Sequence, residues 1–197
     1  MKNPMIIEIC NGESVACDVY SRLLQDRIIF VGDIEEEGDG STDLIVSQLI
    51  YLASKSEDKE IQMYINSPGG MVSNFLAIYD TMRYIKCPIR TVCFGEASSA
   101  AALILAAGTK GMRAGLPNSK VMIHLPAGGV TGDTNQIEVY AKEIARIKNN
   151  IIRLLSKHTG NSENKIANDI KQDFYMTSYE AKEYGLIDFV VEDTKEL

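Results

Sequence analysis

The chain has 197 residues, enough for one domain that buries about 70% of its unfolded surface without a disulfide or metal staple. Hydrophobic residues make up 45% and charged residues 24%, which excludes long-range disorder and low complexity. Asp and Glu outnumber Lys and Arg by 27 to 20, and the resulting net charge of −7 argues against nucleic acid or anionic lipid as a partner.

Apolar runs alternate with helical periodicity along the chain, with no repeat and no linker, so a single α/β unit is expected. Residues 27–31 form a β-branched run closed by Gly32, read as a buried strand. The acidic stretch that follows, Asp33, Glu35, Glu36, Glu37 and Asp39 with Gly38 and Gly40, lacks cation-ligand spacing and reads as a solvated loop over 33–43. An apolar helical face runs over 42–54, a strand over 61–65 and a helix over 71–85, stopped before Pro88. Residues 89–94 are a strand ended by Gly95. Residues 100–107 are a small-residue helix ended by Gly108 in the C-terminal cap position.

A strand over 121–125 leads into a loop with Gly128, Gly129 and Gly132. The clearest helix covers 135–158, where Ile137, Tyr140, Ile144, Ile147, Ile151 and Leu154 recur every three or four residues. Thr177 and Glu180 form a capping box that opens a short helix to Tyr184, and a last strand covers 186–191. This alternation predicts a mostly parallel sheet with function at its strand ends.

The longest apolar run, 100–107, is far short of the roughly 20 residues of a spanning helix. Residues 1–9 do not read as a signal peptide, which predicts a cytoplasmic protein. Cys10, Cys17, Cys87 and Cys93 lack metal-site spacing and read as free thiols, most of them buried.

Two loops attract attention as chemistry. At residues 95–102 a strand ends, a glycine turns the chain, and Ser98 and Ser99 precede an Ala-rich helix. A serine there is exposed to the helix's free N–H groups. The bland alternative is that both serines are N-caps, and on this motif alone that alternative wins. At residues 67–70, Gly69 and Gly70 let the backbone approach a ligand closely, although the loop lacks the ending of a nucleotide-binding P-loop.

A serine nucleophile needs a base, and the chain has two histidines. His158 ends the long helix and reads as a cation at a helix C-terminus. His124 ends a strand beside the glycine loop, where active-site residues of α/β proteins gather. An orienting carboxylate could be Asp169 or Asp173, and spacing does not choose between them.

The stretches 65–70, 95–99, 116–124 and 180–188, together with 18–24 and 27–30, resemble in order and spacing the ClpP peptidase family, the proteolytic subunit of the ATP-dependent caseinolytic (Clp) protease. The resemblance covers almost the whole chain. It implies one peptidase domain over 1–197 of the crotonase-like α/β fold, with an N-terminal segment at 1–20 and a protruding handle region at 126–158. It implies a serine endopeptidase with Ser99 as nucleophile, His124 as base and Asp173 as orienting acid, and with the Gly70 and Ala100 amides as oxyanion hole.

No metal or organic cofactor is implied, since ATP serves a partner unfoldase of the AAA+ class. The implied partners are unfolded polypeptides, that unfoldase, and further copies in stacked heptameric rings that make a tetradecamer. The chain departs from the family pattern at Ala100–Ala102, at Ser73 to Phe75, at Leu125, at Lys171 and Gln172, and at Gln62 and Ala114. These departures point to a divergent paralogue that works with a second ClpP chain in a mixed barrel. The alternatives are a catalytically quiet structural subunit and, lower, an acyl-CoA enzyme of the same superfold.

Overall fold

Strand runs followed by helical runs force crossover connections, and crossovers make neighbouring strands parallel. The computed structural model describes residues 4–10, 13–33 and 41–192, with the side chains of Cys10 and Glu13 left out. An antiparallel hairpin of β1 (Met5–Cys10) and β2 (Glu13–Asp18) comes first, followed by α1 (Val19–Gln25). Then come β3 (Ile28–Val31), α2 (Ser41–Lys55), β4 (Ile61–Ser67), α3 (Val72–Tyr84), β5 (Ile89–Ser98) and α4 (Ala100–Ala106). The chain continues through β6 (Arg113–Gly115), β7 (Lys120–Ile123), α5 (Thr134–Thr159), α6 (Glu163–Asp169), β8 (Phe174–Thr177), α7 (Ser178–Tyr184) and β9 (Phe189–Val190).

Strands β3, β4, β5, β6 and β9 lie side by side in that order, all parallel. β7 adds to β5 in parallel and carries β8 antiparallel on its other edge. The expected α/β fold with a mostly parallel sheet is thus present. Residues 34–40 of the expected acidic loop lie outside the described residues.

The core sits where α3 and α4 cover the sheet. All seven residues of α4 are buried, and its four alanines allow the helix to lie close against β5. In α5 only Ile152, Leu154 and Leu155 are buried, so its early turns stand away from the domain, with Val139 67% exposed. Asp133 and Gln136 form a capping box at its start, and Gly160, at φ +79°, closes its end.

Several boundaries differ from the sequence reading for physical reasons. Gly95 does not end its strand: at φ +86° it bends β5, which runs on to Ser98. Gly108 is not a left-handed cap, because Ala107 closes α4 in right-handed geometry. Glycine is needed there because a Cβ would run into the Thr91 hydroxyl and sit 3.0 Å from Arg113 Cγ. The strand expected over 121–125 stops at Ile123, three residues before the donor-less Pro126. The one expected over 186–191 shrinks to Phe189–Val190, because the amides of Leu186 and Ile187 turn back to the Ala181 carbonyl.

His158 is also not the cation expected at the end of α5. Burial pushes its pKa down to about 4, and its Nε2 meets the Tyr79 hydroxyl at 2.8 Å. Arg113 takes the capping role, donating to the carbonyls of His158 (3.0 Å) and Ala106 (3.2 Å). The same guanidinium grips both Asp188 oxygens, at 2.9 and 2.6 Å. Burial works to raise the Asp188 pKa, but the Arg113 hydrogen bonds and charge outweigh it and hold the carboxyl below its usual range. One buried arginine thereby joins α4, α5, β6 and the approach to β9.

Removing Arg113 leaves Asp188 without its counter-charge. Arg113→Ala is expected to lower unfolding stability by about 3–5 kcal/mol in urea titration. His158 carries a separate acid dependence. Its folded pKa lies below the ordinary histidine value of 6.5, so the unfolded chain binds the extra proton between pH 6.5 and about 4. Stability is therefore expected to fall as pH drops through that window, and His158→Asn to flatten this part of the Tm–pH curve.

Candidate active site

The site is built where β5 changes neighbours. Up to Cys93 the strand pairs with β6; beyond the bend, Glu96, Ala97 and Ser98 pair with Lys120, Val121 and Met122 of β7. The Ser99 amide continues that contact by donating to the Met122 carbonyl at 2.8 Å. Ser99 itself sits at φ +56°, ψ −121°, a strained backbone for a residue with a side chain. A strand-to-helix turn of this kind lifts a hydroxyl clear of the backbone.

Neither serine side chain caps α4, although Ser99 occupies the N-cap position. The Ser99 side chain makes no cap hydrogen bond to α4. The Ser98 hydroxyl turns back to Glu96 at 2.6 Å, and Glu96 also meets the Lys120 ammonium at 3.2 Å. The Ser98 hydroxyl, with help from Lys120, holds the Glu96 carboxyl below its usual range.

His124 is the first residue beyond β7. Its Nε2 lies 2.8 Å from Ser99 Oγ. In the antiparallel ladder of β7 and β8, Ile123 faces Phe174, so the next step of the register sets His124 opposite Asp173. His124 Nδ1 and Asp173 Oδ1 are 3.4 Å apart, and the Asp173 side chain is 56% exposed. A carboxylate facing Nδ1 favours the tautomer with its proton there, which leaves Nε2 free to accept from a hydroxyl. Asp169 is engaged elsewhere, with Lys165 at 2.6 Å and the Tyr184 hydroxyl at 2.7 Å. The structure brings Ser99, His124 and Asp173 together, and leaves Ser98, His158 and Asp169 out.

The Gly69–Gly70 loop closes the other side. Buried Ser67 Oγ accepts from the Gly69 amide at 3.1 Å and fixes the turn. Gly69 has φ +105°, and a Cβ there would lie 2.7 Å from Ser99 Cβ and 2.8 Å from the Ser98 carbonyl oxygen. Only glycine allows this approach. Gly70 and Ala100 then share with Ser99 and His124 the mouth of a small apolar slot. Because the Ser99 amide is already donated to Met122, the next amide toward the slot is that of Ala100.

Among the described residues, no group of three His, Cys, Asp or Glu side chains could hold a metal ion. A roomier hollow, about 610 Å³, lies between Tyr20, Phe30 and Leu44 and has no histidine or cysteine in its lining, so volume is a poor guide to chemistry here.

A family model described as Clp protease matches residues 11–194. The chain belongs to the Clp protease family. The strand order and the helices packed on the sheet fit that membership.

Several of the positions that the sequence reading marks as departures have local partners or burial. Leu125 keeps its place through a backbone bond, its amide donating to the Ile170 carbonyl at 3.0 Å. Lys171 bonds Asn168 at 2.8 Å, Gln62 accepts from the Tyr64 hydroxyl at 3.3 Å, and Ala114 is fully buried.

Sequence reasoning passed over Asn66 and Ser119. Asn66 accepts from the Glu96 amide at 3.2 Å. Ser119 accepts from the Gly95 amide at 3.2 Å and donates to the Cys93 carbonyl at 2.9 Å. Together they hold the bend in β5. Their presence inside the quoted stretches 65–70 and 116–124 was the available signal.

Gly69→Ala pushes its new methyl group against Ser99 Cβ. Fluorophosphonate labelling of Ser99 is expected to slow about 100-fold, the effect of a displacement near 1 Å, while the far-ultraviolet circular dichroism stays unchanged.

Proposed function

We propose that this member of the Clp protease family is a serine endopeptidase subunit that hydrolyses unfolded polypeptides to short peptides. The 2.8 Å contact between His124 Nε2 and Ser99 Oγ, on a serine held at φ +56°, carries this reading. His124 removes the hydroxyl proton as Ser99 Oγ attacks the peptide carbonyl carbon. The carbonyl oxygen becomes an oxyanion received by the Gly70 and Ala100 amides. His124 then passes the proton to the departing amine and the C–N bond breaks. Water, deprotonated by the same imidazole, attacks the acyl ester and restores Ser99. Asp173 keeps the proton on Nδ1 and stabilises the imidazolium formed in each half.

In this reading no cofactor enters the chemistry. The chain works in the cytoplasm within stacked heptameric rings, with a second ClpP paralogue, and an AAA+ unfoldase delivers the substrate. Three observations support this setting. Cys87 and Cys93 are buried free thiols, as expected in a reducing compartment. No described helix is long and apolar enough to cross a membrane. Phe30, Tyr64 and Phe94 form an aromatic cluster with centroids 5.8–6.2 Å apart, and Phe30 is 37% exposed, which offers an apolar face to another subunit.

The second reading, a catalytically quiet ring subunit, has one observation in its favour. The His124–Asp173 separation of 3.4 Å is long for a hydrogen bond, and Asp173 is solvated. Fluorophosphonate labelling followed by intact mass and peptide mapping separates the two. A single adduct on Ser99 supports the peptidase. No adduct, with or without a second ClpP chain, supports the quiet subunit. A stable, active homo-barrel in native mass spectrometry would remove the need for a paralogue.

Loss of the base in His124→Ala is expected to reduce peptide turnover by about 10³-fold or more. Asp173→Asn is expected to cost less, about 10²-fold, because a solvated carboxylate at 3.4 Å stabilises the imidazolium weakly.

A further inference from the structure

We propose that Phe75 sets the substrate preference, by filling the slot beside Ser99 so that only an alanine-sized side chain fits on the acyl side of the cleaved bond. This rests on the reading of Ser99 as the nucleophile. The slot opens beside Ser99 and His124, and its walls are Val72 and Phe75 of α3, Leu103 of α4, Ile123 of β7, and Ile151 and Leu155 of α5. No charged side chain lines it. An extended substrate that places its carbonyl between Ser99 Oγ and the Gly70 and Ala100 amides directs its preceding side chain into this slot. The chemistry there selects an apolar group.

Size makes the sharper selection. The cavity measures about 30 Å³. That is room for about two waters at roughly 10–15 Å³ each, whereas the cavity that takes benzene is roughly 150 Å³. A methyl group fits, and leucine, methionine or phenylalanine does not.

Phe75 is the cause, and it cannot swing aside. It is among the largest fully buried side chains. It sits one turn after Val72, with both side chains on the slot wall. Its ring packs on Tyr79 at 5.8 Å between centroids, and Tyr79 is held by its 2.8 Å hydrogen bond to His158. Ala100 has too little side chain to narrow the slot, so the limit comes from the buried Phe75 ring.

The test uses the assembled full chain and fluorogenic peptides identical except for Ala, Leu, Met or Phe before the scissile bond. A short alkyl fluorophosphonate, too small to sense the slot, reports Ser99 reactivity in parallel. We expect kcat/KM for the alanine peptide to exceed that for the leucine and phenylalanine peptides by about 10–100-fold, the range for added methylenes in an apolar pocket. Phe75→Ala should reverse the order toward leucine once kcat/KM for each peptide is divided by the fluorophosphonate labelling rate of the same variant. Phe75→Leu, a milder change to the core, should shift the order part-way if the alanine variant does not fold.

Labelled Ser99 with equal or better cleavage after leucine or phenylalanine in the native chain would overturn the size limit and leave the peptidase reading standing. A reversed order absent from both folded variants would overturn the role of Phe75. Absence of any Ser99 labelling would overturn the peptidase reading and this proposal with it.

Discussion

The bend in β5 at Gly95 is the constraint on which the site depends. A straight strand of ten residues would keep one neighbour on the edge away from β4; this one pairs there with β6 through Cys93 and with β7 from Glu96. The change of partner brings Ser98 into register with Met122, and two residues beyond Met122 the chain reaches His124. The nucleophile–base distance is therefore a consequence of sheet register, not of a chance encounter of loops. Asn66 and Ser119 hold the bend from the two flanking strands' ends, and a Cβ on Gly95 would lie 2.7 Å from Asn66 Oδ1. Bulges beside active sites re-aim side chains in this way.

The two halves of the site are held with different firmness. Ser99 is surrounded by buried backbone: its amide is bonded, Gly69 presses on its Cβ position, and α4 behind it is wholly buried. Such a setting over-determines the strained conformation and keeps it from relaxing. Asp173 is held only by its place at the start of β8, whose described pairing is to β7 alone. Movement of β8 therefore changes the support of Nδ1 and leaves the Ser99 geometry untouched.

How legible this was in the sequence follows from where each signal resides. Long periodic segments such as α5, and local chemistry such as the Thr177–Glu180 capping box, are written in neighbouring residues and were read correctly. The three-residue strand β6 was missed because its leading Arg113 looks like a surface residue; it is buried only because Asp188 pairs with it from 75 residues away. The β1–β2 hairpin and α6 were missed because neither is long enough to establish a period. Gly95 and Gly108 were read as local punctuation, while their reasons, Asn66 and Thr91, are distant in sequence. The site residues themselves came from motif resemblance. Spacing left Ser98 against Ser99 and Asp169 against Asp173 open, because each pair differs in its three-dimensional neighbours and not in its local pattern.

The two histidines show how burial sorts identical side chains into different work. His124 stands at a strand end with a hydroxyl on one ring nitrogen and a carboxylate toward the other. His158 is desolvated among Lys157, Arg83 and Arg113, which push its pKa the same way as burial does, and it remains neutral. A neutral ring is what the structure needs there, since it bonds Tyr79, and Tyr79 backs Phe75. The line from His158 through Tyr79 to Phe75 joins the root of α5 to the wall of the slot, and Ile151 and Leu155 of the same helix form the facing wall. Slot width is therefore fixed by how α5 is seated on α3, and Arg113, bonded to the last turn of α5 and to the end of α4, secures that seating.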